Sequence, residues 1–136
     1  MVTIGGYTTI DYAFIPSSGT YTFSGNVTFQ GSTGSTGTYT IDNAANNPNL
    51  IFKGNVTIDN ADSELIWTKG TGTITAGGTS TQSLNFLGKT VEDINITNTS
   101  ADVSIINDVT CDSLSVSNGA SVVVTSTKEI TTADIS

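Results

Sequence analysis

The side chains able to do chemistry are few, and most are acids. Glu92 and Asp93 are adjacent, and Asp59, Asp62 and Glu64 lie close together. Two carboxyl groups converging across a sugar can hydrolyse a glycosidic bond, one as acid and the other as nucleophile or base. These acids fall in turn-like stretches instead, where solubility and turn formation account for them. The chain has no His and no Arg, and Trp67 is the single tryptophan available to stack on a sugar ring. No catalytic residue and no enzymatic activity are expected. The run Asp59-Asn60-Ala61-Asp62-Ser63-Glu64 offers oxygen donors at short spacing. It lacks the order of an EF-hand loop and of the glycine-rich nonapeptide calcium repeats. An Asx-type turn is expected there, with no metal and no cofactor. Cys111 is the only cysteine, so no intrachain disulfide can form. A lone Cys among strand residues is expected as a small buried hydrophobe.

Threonine pairs offer a different kind of surface. Thr-x-Thr steps occur at Thr20/Thr22, Thr38/Thr40, Thr71/Thr73/Thr75, Thr79/Thr81, Thr97/Thr99 and Thr125/Thr127. On a strand, positions two apart face the same way. Stacked over a flat sheet, such steps could make an ice-binding array. The competing reading is that Thr is a common outward strand residue. Asn-x-Ser/Thr acceptors at Asn26, Asn55, Asn95 and Asn98 follow from the abundance of Asn and Thr, and matter only in a secreted eukaryotic protein.

Charge narrows the partners. The chain has 136 residues and a net charge of −8, its cations being Lys53, Lys69, Lys89 and Lys128. Nucleic acid requires a basic footprint, and an anionic membrane surface repels such a chain. A basic partner would suit it. No apolar run approaches the roughly 18 residues of a membrane span. The opening MVTIGGYTTIDY has neither the cationic nor the apolar region of a signal peptide. Synthesis and assembly in the cytoplasm are expected; a secreted or cell-surface protein shorn of its leader would look the same.

These side chains must be carried by strands, because the apolar periodicity is two and helical periodicity is nearly absent. About fourteen short strands are expected, the first over 7–15 and later ones over 20–23, 27–29, 38–41, 50–52, 56–58 and 64–68. Others follow over 73–75, 84–87, 94–97, 103–106, 114–116 and 122–125. The segments 31–37 (GSTGSTG) and 42–49 (DNAANNPN) read as loops. Residues 127–136 read as a C-terminal cap, either a strand or a short helix.

The chain also repeats itself. FSGNVTF at 23–29 returns as FKGNVTI at 52–58, matching in five of seven places. Phe86-x-Gly88 and Asp108-Val109-Thr110 read as later echoes. Phe23, Phe52 and Phe86 are expected inside structural corners, with Gly25, Gly54 and Gly88 at the bends. Like corners stack on like corners in a solenoid. The expected fold is a single all-β domain, a parallel β-solenoid of about six irregular coils at ~4.8 Å each. The alternative is an antiparallel β-sandwich of jelly-roll type.

Residues 70–124 resemble the Thr/Asn/Gly-rich right-handed parallel β-helix repeats of phage virion proteins and large bacterial surface proteins. The resemblance rests on Leu84, Phe86, Gly88, Lys89, Thr90, Val91, Ile94, Ile96, Val109, Leu114, Val116, Asn118 and Gly119. It covers about half the chain well. It implies a non-enzymatic virion component of capsid-decoration, head-fibre or tail-fibre type, docked on a major capsid protein or another virion protein. Self-association as a trimer follows by the same analogy. The alternatives are a secreted ice-binding or carbohydrate-binding adhesin module and a polysaccharide-degrading tailspike fragment. Residues 1–15 lie outside the repeat, with Tyr7, Tyr12, Phe14 and Ile15 and the single acid Asp11. Aromatic, weakly charged segments suit interface cores, so this segment is expected as a cap or docking arm.

Overall fold

The computed structural model describes residues 2–4, 8–11, 14–30, 38–60 and 64–136, with side chains from residue 14 onward. The chain climbs layer by layer. The first layer holds β1 (Val2–Ile4) and β2 (Thr8–Asp11). The second holds β3 (Thr20–Phe23), β4 (Val27–Gln30) and β5 (Thr38–Asp42), and the third β6 (Asn49–Phe52), β7 (Val56–Asp59) and β8 (Glu64–Thr68). Then come β9 (Thr73–Ala76) with β10 (Gln82–Asn85), and β11 (Asp93–Ile96) with β12 (Val103–Ile105). Next are β13 (Val109–Val116) and β14 (Val122–Val124), and β15 (Ile130–Ile135) opens a last layer. The C-terminal segment is thus a strand and not a helix.

One sheet runs β1-β3-β6-β9-β11-β13-β15, a second β2-β4-β7-β10-β12-β14, and a third pairs β5 with β8. Every pairing between these strands is parallel, which excludes the jelly-roll alternative. The fold is a parallel β-solenoid. Four layers, those of β3, β6, β9 and β11, have neighbours on both sides in both main sheets. The body is therefore about four enclosed turns. The expectation of about six coils gives the open end layers the same weight.

The alternation of side chains explains the layers. In β7, β9 and β11 the burial alternates residue by residue, with Ile, Val or Ala inward and mostly Thr or Asn outward. Inward residues then stack on like residues. Tyr21, Leu50, Ile74, Ile94, Leu114 and Ile135 form one register column, and Val27, Val56, Leu84, Ile105 and Val124 another. The coils are unequal in length. The chain takes its longest path from Tyr21 to Leu50 and a shorter one from Leu50 to Ile74. From Ile74 to Ile94, Leu114 and Ile135 the steps are shorter still and nearly equal. In the long coils the return from the second sheet to the first carries an additional strand, β5 or β8, on the third flank.

The repeated heptapeptides are one corner in two successive layers, between the first and second sheets. Phe23 and Phe52 are fully buried and stack ring on ring, centroids 5.1 Å apart and planes at 16°. Asn26 Oδ1 accepts the Asn55 backbone N–H at 2.9 Å, and Asn55 Oδ1 accepts that of Ser83 at 2.9 Å. Gly54 permits this close stacking: a Cβ there would lie 2.5 Å from the Gly25 carbonyl carbon. Phe86-x-Gly88 is a different corner. It follows β10 of the second sheet, in register above Ile58 and not above Phe52. The residue above Phe52 is Ala76. Val109 likewise begins a strand of the first sheet, whereas Val27 and Val56 begin strands of the second.

Asn55→Ala tests the corner. It removes the acceptor for the Ser83 amide and keeps the backbone. A loss of about 0.5–1.5 kcal/mol is expected, read as a lower urea midpoint at unchanged slope. An unshifted midpoint would show that the side-chain ladder is decorative.

Candidate functional site

A group of three charges lies where the third flank returns to the first sheet. Lys69, Gly70, Thr71, Gly72, Asp93 and Asp112 line an open notch of about 120 Å³. Lys69 follows β8, Asp93 opens β11 and Asp112 lies within β13, so the notch spans several layers. The Lys69 ammonium pairs with the Asp112 carboxylate. Asp93 Oδ1 accepts the Ser113 N–H at 3.0 Å, and Asn47 Oδ1 accepts the Thr71 N–H at 2.7 Å. The notch thus holds a neutralised lysine and a carboxylate bound to backbone. It contains no nucleophile–base pair.

Behind the notch lies an acid that the sequence assigns to a solvated turn. Glu92 is instead fully buried. Its Oε2 accepts the Trp67 indole N–H at 3.0 Å and its Oε1 accepts the Gly70 backbone N–H at 2.8 Å. Both oxygens are therefore committed to holding the third flank of the coil below. Glu92 lies in the bend just before β11 and turns inward beside the buried Val91, whereas Asp93 is the half-buried first residue of the strand. The signal that could have found Glu92 is Trp67, since a buried indole N–H needs an acceptor.

Gln82 plays a comparable part between the main sheets. Its Nε2 donates to the carbonyls of Phe52 and Gly54 at 3.0 and 2.9 Å, while its Oε1 accepts the Gly78 N–H at 2.9 Å. Asn98, also buried, donates from Nδ2 to the Ser80 carbonyl at 2.8 Å. Asn43 is buried with no hydrogen-bond partner for its side-chain amide among the described residues.

The other expected site residues scatter. Asp59 ends β7 and Glu64 opens β8, both exposed, and Asp62 lies outside the described residues. Among the described residues no cluster of acids, Cys or His could hold a metal. Tyr7 and Tyr12 also lie outside the described residues. Phe14 is packed against the core, bridged to Ile41, with its ring edge-on to Tyr21 and Phe23 at 6.2 and 6.4 Å. Ile15 is exposed. β1 and β2 pair with β3 and β4, so the described strands of the opening segment form the first layer of the solenoid. Phe86 is buried against Trp67 at 5.9 Å, and Gly88 has a positive φ of 74°. Gly25 and Gly54 lie in the β3–β4 and β6–β7 connections. Cys111 is buried, and desolvation pushes its thiol above the ordinary range.

No Thr-x-Thr step stacks on another in the described sheets. Thr20/Thr22 and Thr73/Thr75 both lie against Asn49/Ile51, and Thr38/Thr40 lies against Glu64/Ile66. Single-threonine columns reach three layers, at Thr9–Thr28–Thr57 and Thr90–Thr110–Thr131.

What recurs over the surface is a ladder. Asn26, Asn47, Asn49, Asn55, Asp93 and Asp108 each accept, through a side-chain oxygen, a backbone N–H of the following layer. All six bonds run in the same direction along the axis. No family model, curated protein or solved structure matches this chain. The fold defines its class alone: an all-β parallel solenoid whose coils are tied by Asn and Asp side chains.

Proposed function

We propose that the protein is a non-enzymatic structural component of a phage virion, a capsid-decoration, head-fibre or tail-fibre protein. It docks on the particle and stabilises it or projects from it. The observation that carries this reading is the one-way ladder of side-chain oxygens between layers. It commits the polar groups of the corners to holding coil on coil, which suits a rigid rod acting by shape. The net charge of −8 favours solubility and docking on a basic surface. The scattered threonine steps give ice binding no comparable support, and the adjacent acids Glu92 and Asp93 are engaged in hydrogen bonds to Trp67, Gly70 and Ser113, which lends polysaccharide cleavage by that pair no support.

The experiment is co-purification. Particles from a phage encoding this chain should retain it at fixed stoichiometry through density-gradient banding. Particles that band without it, while the protein stays in the soluble lysate, would refute the virion role.

A further inference from the structure

Asn43 stands apart from the other amides of the interior. It is 0% exposed, and among the described residues neither its Nδ2 nor its Oδ1 has a hydrogen-bond partner. Gln82 and Asn98, also buried, are both bonded. A buried amide left unpaired is costly, so native folds answer almost all of them, with protein groups or with ordered water.

The Asn43 amide cannot swing out to solvent, because the chain around it is pinned on both sides. The Asn43 N–H donates to the Thr68 carbonyl at 3.0 Å, and the Asn43 carbonyl accepts the Asn47 N–H at 2.8 Å. The turn is tied below by Asn46 Nδ2, which donates to the Pro16 carbonyl at 2.9 Å. It is tied above by Asn47 Oδ1, which accepts the Thr71 N–H at 2.7 Å. Main-chain donors close by are already spent. The Gly70 N–H goes to Glu92 and the Asn49 N–H to the Gly19 carbonyl, and Pro48 has none.

Above Asn43 lies Gly70. A Cβ there would stand 2.6 Å from the Asn43 carbonyl oxygen, so the two layers touch at this point. Gly70 in turn meets Glu92, whose Oε1 accepts its N–H at 2.8 Å. Asn43, Gly70 and Glu92 therefore mark one corner in successive layers. Glu92 is an enclosed acid, and no ion pair engages it among the described residues, since Lys69 is paired with Asp112. Each of its oxygens accepts one N–H, and a carboxylate has about four lone-pair sites.

We propose that the corner between Asn43 and Glu92 binds ordered water as a fixed structural ligand. Water fits the chemistry of both residues. It accepts an N–H from Asn43 Nδ2, and it donates to Asn43 Oδ1 or to the lone pairs of Glu92 that the protein leaves open. A metal ion answers only the oxygens and would set its charge against the Nδ2 donor. Water donated to Glu92 also solvates a charge taken out of bulk solvent.

Nuclear magnetic resonance on the full chain tests this. The Asn43 side-chain amide protons of the unmodified protein should show dipolar cross-peaks to water that stays longer than the molecule tumbles. Oxygen-17 relaxation dispersion should count fewer such waters in Asn43→Leu, which keeps the volume and removes the amide. The urea midpoint of Asn43→Leu should fall, because Glu92 loses the water that donates to it. A higher midpoint with unchanged dispersion would overturn the proposal, since removing a dry unpaired amide is stabilising. Absence of the cross-peaks in the unmodified chain would overturn it as well. So would a melting temperature that climbs with sodium, potassium or calcium at fixed ionic strength in the unmodified chain but not in Asn43→Leu, because the ligand would then be a cation. If Asn43→Leu does not fold, the cross-peaks of the unmodified chain decide.

Discussion

Phe52→Ala is expected to lower stability by about 3–5 kcal/mol, the range for removing a large buried ring. The ring is fully buried between layers. It stacks on Phe23 at 5.1 Å and meets Phe29 edge-on at 6.3 Å. Collapse into the gap is blocked on three counts. Ala76, above it in register, has only a methyl group to offer. The Phe52 carbonyl stays fixed, because it accepts the Gly77 N–H at 3.0 Å and the Gln82 amide at 3.0 Å. The corner below is tied by the Asn26–Asn55 bond. The cost should therefore fall in the upper part of the range, where cavities persist. Thermal melting should drop by roughly 10–20 °C. An unchanged melting temperature would mean that the stacked aromatic corner contributes no packing energy.

Glu92 carries the second large effect. Glu92→Ala leaves the Trp67 indole N–H and the Gly70 N–H without acceptors in a closed interior. Each orphaned donor costs about 1–3 kcal/mol, so a loss of about 2–6 kcal/mol is expected. Glu92→Gln keeps the volume and one acceptor oxygen, but its amide nitrogen confronts the other N–H; a loss of about 1–3 kcal/mol is expected. The order of urea midpoints should therefore be unmodified chain, then Gln, then Ala. Trp67 fluorescence reports on the same place, and its emission should move to longer wavelength in the alanine variant as the flank loosens. Equal midpoints for all three proteins would show that the two hydrogen bonds only replace what water supplies in the unfolded chain.

The sequence shows the fold wherever a chemical requirement recurs at a fixed corner. Phe23 and Phe52 can be paired because the same turn also needs Gly54 for clearance and Asn26 and Asn55 for the ladder, so several constraints return together. The next layer meets them with other residues. Ala76 replaces the ring, and the turn is longer, reaching from Ala76 to Gln82. The echo therefore vanishes there, and Phe86-x-Gly88 offers itself in its place. That motif satisfies a turn with positive φ at Leu87 and Gly88 on another corner. Local turn chemistry looks alike on any corner, and only register distinguishes them. The inward Glu92 is hidden for a related reason. An acid beside another acid suggests solvent, and only the position of Trp67 one layer below reverses that reading. The opening segment reads as lying outside the repeat because what β1 and β2 share with later layers is backbone register, which leaves little trace in residue identity.

The even spacing of the C-terminal columns has a consequence for evolution. Ile74, Ile94 and Leu114 recur at one constant interval, each with an outward polar neighbour one position before it. A genetic duplication or deletion of one such interval in this half would begin and end at equivalent points of the pleat. Inside and outside would be preserved, and so would the direction of every amide. Such an event changes the rod by one rise of ~4.8 Å and leaves its cross-section intact. A change of any other length must be absorbed on the flank that carries β5 and β8, where the longer coils from Tyr21 to Leu50 and from Leu50 to Ile74 are already accommodated. Length along the axis is thus a quantised variable under selection, and girth on one side is a continuous one.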